Sequence, residues 1–175
     1  MPNQFHHKSI QLSHAAYIGA KAYFLTLCAV DRHKAFTNPD TCYSLLDLLR
    51  EESSLRDFVI PAYCLMPDHL HFLAHGLQGT SDLLSFAKSF RIKSSRTYSH
   101  ETGRVLWQKK FFDHILRSTI SLESVAWYIW MNPIRAGLAI NVGEYPFAGS
   151  FTNAEPFRKK PEKIWEPEWA RISSK

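Results

Sequence analysis

The sequence predicts an α+β domain with the element order β-α-β-β-α-β. Apolar runs of strand length occur at residues 22–30, 58–66 and 69–74, and a tight Met-Pro-Asp connection joins the last two. Segments with apolar residues at helical spacing follow the first run and the third. This order is that of a ferredoxin-like antiparallel sheet, to which a further helix late in the chain adds a C-terminal layer.

The first half of the chain supplies a strand, a helix and a hairpin. Residues 22–30 read AYFLTLCAV, the pattern of a buried strand. Asn38 followed by Pro39 opens the first helix, because asparagine is a good N-cap and proline suits the first helical position. Residues 58–66 and 69–74 form the hairpin, in which Pro61 predicts an edge or a bulge because it has no N–H to donate. The apolar stripe of the first helix is Cys42, Leu45, Leu46 and Leu49.

The second half supplies a helix, a strand and the added helix. Ser81 is the predicted N-cap of the second helix, residues 105–116 are the predicted fourth strand, and Ser121 opens the third helix. We expect one domain over residues 1–150 and a charged, proline-rich tail over 151–175, which Trp165 and Trp169 could pin. The apolar stripes are Leu83, Ala87 and Phe90 in the second helix, and Leu122, Val125, Ala126 and Ile129 in the third.

Composition narrows the class of protein without identifying it. A chain of 175 residues with 45% hydrophobic residues can bury a core without disulfides. Its 21 Lys and Arg against 16 Asp and Glu give a net charge of +5, a modest excess that favours a polyanionic partner. The cysteines are three and far apart, which indicates neither a disulfide framework nor a thiolate zinc site. No apolar run is long enough to cross a bilayer, so we expect a cytoplasmic protein.

The strongest chemical signal is His69-Leu70-His71 in the predicted third strand. Side chains alternate along a strand, so the two imidazoles share one face and Leu70 points to the other. Two neutral imidazoles can hold a divalent ion whose remaining ligands are oxygens, which favours Mg²⁺ or Mn²⁺. A chain with nine histidines also carries such a pair by chance, so the motif alone leaves a structural role open.

Tyr128 and Asn132 lie one turn apart on the third helix, on the side that faces the sheet. A phenol with a pKa of about 10 is a weak nucleophile, so it needs a nearby cation and a metal on the phosphate that it attacks. The histidine pair could hold that metal. In the alternative interpretation, Tyr128 is a packing residue, and Asn132 before Pro133 caps the next turn.

Longer strings around these residues resemble a known family. AYFLTLCAVDR, AYCLMPDHLHFLAHG, LWQKKFFDHILRS and YIWMNPIRAGL occur in the order and spacing of the REP-associated tyrosine transposases. These are relatives of the single-tyrosine, IS200-like transposases of the HUH class. The resemblance covers about residues 20–150, and its most specific strings are MPDHLH and YIWMNPIRAGL.

The resemblance implies a site and a reaction. His69 and His71 match the metal ligands of the HUH motif, Tyr128 matches the nucleophile, and Asn132 matches the polar position that completes the site for Mg²⁺ or Mn²⁺. The implied enzyme cleaves and rejoins single-stranded DNA near hairpin-forming palindromes through a 5′-phosphotyrosine intermediate. It acts as a monomer or a homodimer and needs no organic cofactor.

Other residues are candidates for contact with DNA. By the resemblance, Asp113, His114 and Arg117 lie near the active site or the DNA. The second helix carries cations away from its apolar stripe, and these either contact the DNA backbone or form a solvated helix face. They are Lys88, Arg91, Lys93 and Arg96.

Two other functions are compatible with the same residues. One is a catalytically idle module that binds hairpin DNA. The other is a small hydrolase that uses the histidine-bound metal and a water nucleophile, with Tyr128 in a structural role. The presence of both histidines together with the tyrosine argues against the idle module.

Overall fold

The structure of the protein is a computed structural model that describes residues 13–152 and 160–167. Of the two tryptophans that we expected to pin the tail, Trp165 is described, whereas Trp169 lies outside the described residues. The main elements are β1 (Ala22–Cys28), α1 (Pro39–Leu55), β2 (Phe58–Met66), β3 (His69–Gly76), α2 (Leu83–Thr102), β4 (Phe112–Ile115), α3 (Leu122–Trp130), α4 (Asn132–Arg135) and β5 (Ala148–Gly149). Short 3-10 helices occupy His14–Tyr17 and Val30–Arg32.

The strands form one sheet in the order β4-β1-β3-β2-β5, and every neighbouring pair is antiparallel. The order of the first four strands is that of the ferredoxin-like fold, so the predicted fold class is confirmed. The short edge strand β5 and the single-turn helix α4 are additions that the sequence pattern did not predict.

Helices cover both faces of the sheet, which explains why its central strands are apolar on both sides. We call these the α1/α2 face and the α3 face, after the helices that pack there. The core on the α1/α2 face includes Leu25, Phe72, Phe86 and Phe90. The core on the α3 face includes Phe24, Leu73, Val125 and Ile129.

Two of the predicted helix starts are confirmed by their hydrogen bonds. The Asn38 side chain accepts hydrogen bonds from the backbone at the start of α1, with Pro39 at the first helical position. The Ser121 hydroxyl accepts from the Ser124 N–H at the start of α3. Both caps satisfy backbone donors that have no partner within the helix.

The predicted cap of α2 was wrong by one residue. Asp82 is the N-cap, and its carboxylate accepts from the Ser85 N–H. Ser81 is buried, and its hydroxyl donates to the Asp57 carbonyl instead. The Ser81 oxygen accepts from the Gln78 N–H, which lies outside the helix, and the next residue is the cap.

The predicted features of β2 and β4 have different outcomes. The register of β2 on β3 shifts between Val59 and Ala62, so Pro61 lies at an irregularity, as its missing N–H predicted. The fourth strand was predicted over 105–116, but β4 comprises only Phe112–Ile115. Trp107 forms only an isolated bridge with Ala29, and the Arg91 guanidinium donates to the carbonyls of Gln108 and Lys109 between this bridge and β4.

Candidate active site

β3 places both histidines of the motif on the α3 face. His71 is paired with Thr26 of β1 and Cys64 of β2, and Cys64 belongs to the core under α3. Directly paired residues of a sheet share a face, so His71 lies on that side, and His69 joins it two residues earlier. Leu70 lies in the core on the α1/α2 face.

Each imidazole is held at Nδ1 and directs Nε2 toward the other. His71 Nδ1 lies 2.7 Å from the Thr26 hydroxyl, and His69 Nδ1 lies 2.5 Å from an Asp68 carboxylate oxygen. The two Nε2 atoms are 3.0 Å apart. Since the outer nitrogens are engaged with Thr26 and Asp68, the inner nitrogens are the ones that can bind a ligand together.

The surroundings favour neutral imidazoles. Burial lowers the pKa of His71 well below its ordinary value, and the charges of His69, Arg135 and Arg32 lower it further. Burial also lowers the pKa of His69, although its hydrogen bond to Asp68 opposes this. A neutral imidazole is the form that binds a metal ion, so both rings are ready for coordination near neutral pH.

The separation of the two nitrogens fits one shared ion. Two ligands at about 2.1 Å from a metal, at a right angle, are about 3 Å apart. Within residues 13–152 and 160–167, no group of three or more His, Cys, Asp or Glu side chains could hold one metal ion. A metal bound by His69 and His71 would therefore need ligands of another kind, such as an amide oxygen, water or substrate phosphate.

α3 brings Tyr128 to the same face. Its ring centroid lies 6.4 Å from that of His71 and 5.8 Å from that of Phe24, and its side chain is 8% exposed. Burial raises the pKa of the phenol, the positive charge of Arg135 lowers it, and Glu166 raises it. The net effect is a raised pKa, so the phenol is protonated near neutral pH until a further positive charge approaches it.

Arg135, which the sequence reasoning did not single out, lies directly on the predicted nucleophile. Its guanidinium carbon is 4.4 Å from the Tyr128 ring centroid, and its Nη2 donates to the Tyr128 carbonyl at 2.7 Å. This is a cation–π contact combined with a hydrogen bond to the last turn of α3. Tyr128 and Arg135 are seven residues apart, which is two helical turns and would place them on one side of a continuous helix. Pro133 between them made a continuous helix an unfavourable prediction.

The Asn132 side chain is hydrogen-bonded to the helical turn that precedes it. Its Nδ2 donates to the carbonyls of Tyr128 and Ile129, each at 3.0 Å, so it bonds to the preceding turn and does not cap the next one. The alternative interpretation of Asn132 as an N-cap is therefore wrong. With Nδ2 engaged in this way, Oδ1 is the atom through which Asn132 could bind a metal.

Trp165 covers the α3 face beside the tyrosine. Its ring centroid lies 5.1 Å from that of Phe24, 5.6 Å from that of Tyr128 and 5.6 Å from that of His114. The described part of the tail therefore packs on the site, in agreement with the predicted pinning by this residue.

The structure places Asp113 and His114 on opposite faces of the sheet. His114 is paired with Phe24 on the α3 face, near the candidate site, whereas Asp113 is paired with Leu25 on the α1/α2 face. There Asp113 is hydrogen-bonded to the Tyr17 hydroxyl, and burial raises its pKa. Arg117 is exposed beyond the end of β4, near the start of β1 and thus about 20 Å of strand from the histidines.

The four cations of α2 lie on the α1/α2 face, on the other side of the sheet from the histidines and Tyr128. Arg91 binds the carbonyls of Gln108 and Lys109, and Lys93 forms an ion pair with the buried Glu52. These two have structural partners within the protein. The other two cations, Lys88 and Arg96, are exposed.

The fold and the site together define a class: a ferredoxin-like protein in which a His-x-His strand and a helical tyrosine face each other across one side of the sheet. Comparison with known families agrees with this class. Residues 20–132 match the family described as IS200-like transposases. The match covers more than half of the chain, so the protein belongs to the IS200-like transposase family.

Two similar proteins carry the name REP-associated tyrosine transposase. The one from Escherichia coli (strain K12) is 28% identical over 94 residues, 53% of this chain and 54% of the relative. The chain thus spans about half the length of that relative. A protein of Haemophilus influenzae that provisionally carries the same name is 26% identical over 141 residues, 72% of this chain and 77% of the relative.

A solved structure supports the same assignment. The REP-associated tyrosine transposase bound to a REP hairpin superposes with a TM-score of 0.63 and is 25% identical in sequence. The match covers 75% of this chain and 78% of the other. The resemblance noted from the sequence strings is therefore confirmed. Among the described residues, no helix is both long and apolar enough to cross a membrane.

Proposed function

We propose that this protein is a metal-dependent, single-stranded DNA transposase that cleaves and rejoins DNA near hairpins through a 5′-phosphotyrosine intermediate. The observation that carries the proposal is the convergence of three side chains on the α3 face. The Nε2 atoms of His69 and His71 meet at 3.0 Å, and the Tyr128 ring lies 6.4 Å from the His71 ring. We call these three side chains the histidine–tyrosine row.

In this proposal His69, His71 and the Oδ1 of Asn132 hold Mg²⁺ or Mn²⁺. The bound ion supplies Lewis-acid stabilisation of negative charge on the scissile phosphate. Thr26 and Asp68 fix the outer nitrogens of the imidazoles, so that both inner nitrogens are directed to one point. The Arg135 guanidinium lies over the Tyr128 ring and donates to the Tyr128 carbonyl, and these two contacts orient the phenol.

The reaction exchanges one phosphoester bond for another. The Tyr128 oxygen forms a bond to phosphorus while the bond from phosphorus to the 3′-oxygen breaks, and the phenol loses its proton as the departing 3′-oxygen gains one. The products are a 5′-phosphotyrosine link and a free 3′-hydroxyl. Attack by a 3′-hydroxyl on the phosphotyrosine reverses these changes and joins DNA without a nucleotide cofactor.

The partner in this proposal is single-stranded DNA that forms a hairpin. The solved REP-associated tyrosine transposase, which matches 75% of this chain, is bound to a REP hairpin. The net charge of +5 favours a polyanion as partner. In the present protein the hairpin sequence would be found among palindromes that flank its own gene.

The test is covalent capture of the protein on DNA. Single-stranded oligonucleotides from the flanks of the gene are incubated with Mn²⁺, with Mg²⁺ or with chelator, and denaturing gels are used to detect protein of raised mass. We expect an adduct with metal, none with chelator, and none from Tyr128→Phe under any condition. Tyr43→Phe is the matched control, because Tyr43 is an exposed tyrosine of α1 on the other face of the sheet.

Other results would identify the other functions. Cleaved DNA with a 5′-phosphate and no attached protein, unchanged in Tyr128→Phe, would show a hydrolase that uses water. Hairpin binding without cleavage in either metal would show an idle binding module. An adduct at wild-type level in Tyr128→Phe would exclude Tyr128 as the nucleophile.

A further inference from the structure

Two arginines lie at the ends of the histidine–tyrosine row. Arg32 is joined to His69 through Asp68, and Arg135 is in contact with Tyr128. A continuous series of contacts therefore begins and ends with a guanidinium group, and the convergent Nε2 atoms lie between them. Arg32 and Arg135 are thus cations of the α3 face, unlike those of α2.

Arg32 is presented by the turn that follows β1. The backbone of Asp31 and Arg32 is left-handed, with φ values of 52° and 54°. The Arg32 Nε lies 2.9 Å from Asp68 Oδ2, and its Nη1 donates to the Cys28 sulfur at 2.9 Å. The side chain is nevertheless 50% exposed. Its position is therefore fixed on one edge of the guanidinium, while other N–H groups face solvent.

Arg135 is presented by α4 in a comparable way. One N–H donates to the Tyr128 carbonyl, and the guanidinium lies over the Tyr128 ring, yet the residue as a whole is exposed. Arginine has five N–H donors, so most of those of Arg135 remain for a ligand. The planar fork of donors matches two oxygens of one phosphate.

Both arginines lie close to the histidine–tyrosine row and contribute positive charge there. Arg32 binds the Asp68 carboxylate that holds His69, and the Arg135 guanidinium lies over the Tyr128 ring. Both guanidinium groups are thus close enough to make the electrostatic potential more positive where a strand would lie. A polyanion with regularly spaced charges can satisfy two such cations at once.

We propose that Arg32 and Arg135 each bind a backbone phosphate of one DNA single strand, which runs along the histidine–tyrosine row and thereby presents the intervening phosphate to Tyr128. This proposal deepens the function proposed above and rests on it. The two arginines carry no sequence information, because contacts to the phosphate backbone position a strand without reading its bases. They would hold any unpaired strand, with or without a hairpin.

The test measures the salt dependence of binding to unstructured DNA. Tyr128→Phe protein is used as the parent, in chelator, so that neither cleavage nor metal contributes. The probe is fluorescent (dT)8, which forms no hairpin, and binding is followed by anisotropy over a range of salt concentrations. Each phosphate contact to a single strand contributes about 0.7 to the slope of log affinity against log salt.

We expect Arg32→Gln and Arg135→Gln each to reduce the slope by about 0.7, and the double variant to reduce it by about 1.4. Arg50→Gln is the matched control. Arg50 also lies over an aromatic ring, at 4.6 Å from the Phe151 centroid, but it belongs to α1 on the other face. We expect this variant to keep the slope of the parent.

Lysine variants distinguish the loss of the bidentate phosphate contact from the loss of charge or of folding. Arg32→Lys and Arg135→Lys keep the cation, so they should keep the slope but bind several-fold more weakly, because lysine cannot form the bidentate contact. If a glutamine variant does not fold, as judged by circular dichroism, its lysine counterpart decides the matter. Unchanged slopes in folded glutamine variants, or unchanged affinity in the lysine variants, would overturn the proposal. A reduced slope with no covalent adduct from wild-type protein would overturn the cleavage function and leave the phosphate contacts standing.

Discussion

The Thr26 hydroxyl lies 2.7 Å from Nδ1 of the buried His71 because β1 and β3 pair these two residues directly. When a metal ion binds at Nε2, Nδ1 carries the hydrogen and donates it to the Thr26 hydroxyl oxygen. The sheet register therefore fixes the orientation of the ring. The strand pairing that builds the fold would in this way also support the proposed metal site.

Replacement of Thr26 by valine should weaken metal binding. The change keeps the shape of the side chain but leaves the buried Nδ1–H of His71 without its acceptor. We expect Mn²⁺ affinity to fall by about 10- to 100-fold and the free energy of unfolding to fall by about 1–3 kcal/mol. Titration calorimetry and thermal unfolding measure the two effects. Thr26→Ser keeps the hydroxyl and should stay near wild type in affinity; an equal loss in both variants would refute the role of the hydrogen bond.

The fold could be predicted from the sequence because most of its signals are local. Alternation of side chains separated His69 and His71 from Leu70, and short-range hydrogen bonds made Asn38 and Ser121 recognisable as caps. The predicted bounds of the fourth strand were wrong because a residue distant in sequence contacts this segment. The Arg91 side chain binds two carbonyls just before the fourth strand, and no periodicity within residues 105–116 could reveal this contact.

The site was predictable to a smaller extent for the same reason. The histidine pair and Tyr128 were found from their motifs, and the structure brings them together on one face. The roles of the cations depend on which face of the sheet each helix covers. This is a property of the tertiary structure. The sequence pattern therefore indicated the cations of α2 as DNA contacts and did not indicate Arg32 and Arg135.

Lys93 should prove to be a stabilising residue. It pairs with Glu52, whose side chain is 1% exposed and which also has Arg56 at 3.6 Å. Lys93→Ala removes the main partner of a buried carboxylate, so we expect the free energy of unfolding to fall by about 1–3 kcal/mol. Lys88→Ala, an exposed lysine on the same helix, should change stability by less than about 0.5 kcal/mol. Similar melting temperatures for the two variants would contradict this assignment.

The same ion pair predicts a dependence of stability on pH. Burial of Glu52 raises its pKa, but the hydrogen bond and charge of Lys93, with contributions from Ser89 and Arg56, bring the net pKa below its ordinary value. A carboxyl group with a lowered pKa in the folded state stabilises the fold above the unfolded pKa of about 4.3, and this contribution is lost as the pH falls below it. Thermal unfolding between neutral and acidic pH should show a smaller acid-induced loss in Glu52→Gln than in wild type. Parallel pH curves for the two proteins would rule out this contribution.

Asp68 should set the affinity of the metal site through His69. Its two carboxylate oxygens are divided between His69 Nδ1 at 2.5 Å and Arg32 Nε at 2.9 Å, so one side chain both orients an imidazole and holds an arginine. Asp68→Asn keeps the shape and removes the charge that makes His69 a better ligand, and we expect Mn²⁺ affinity to fall by about 10- to 100-fold.

Asp47→Asn is the control, because Asp47 is 76% exposed on α1 and its ion pair with Arg50 is a distant one, at 3.9 Å. Calorimetry measures the affinities, and ¹⁵N spectra of the histidine rings measure the tautomer of His69, which a merely structural role of Asp68 would leave unchanged. A variant that binds Mn²⁺ as tightly as wild type, with the same His69 tautomer, would show that this carboxylate does not support the site.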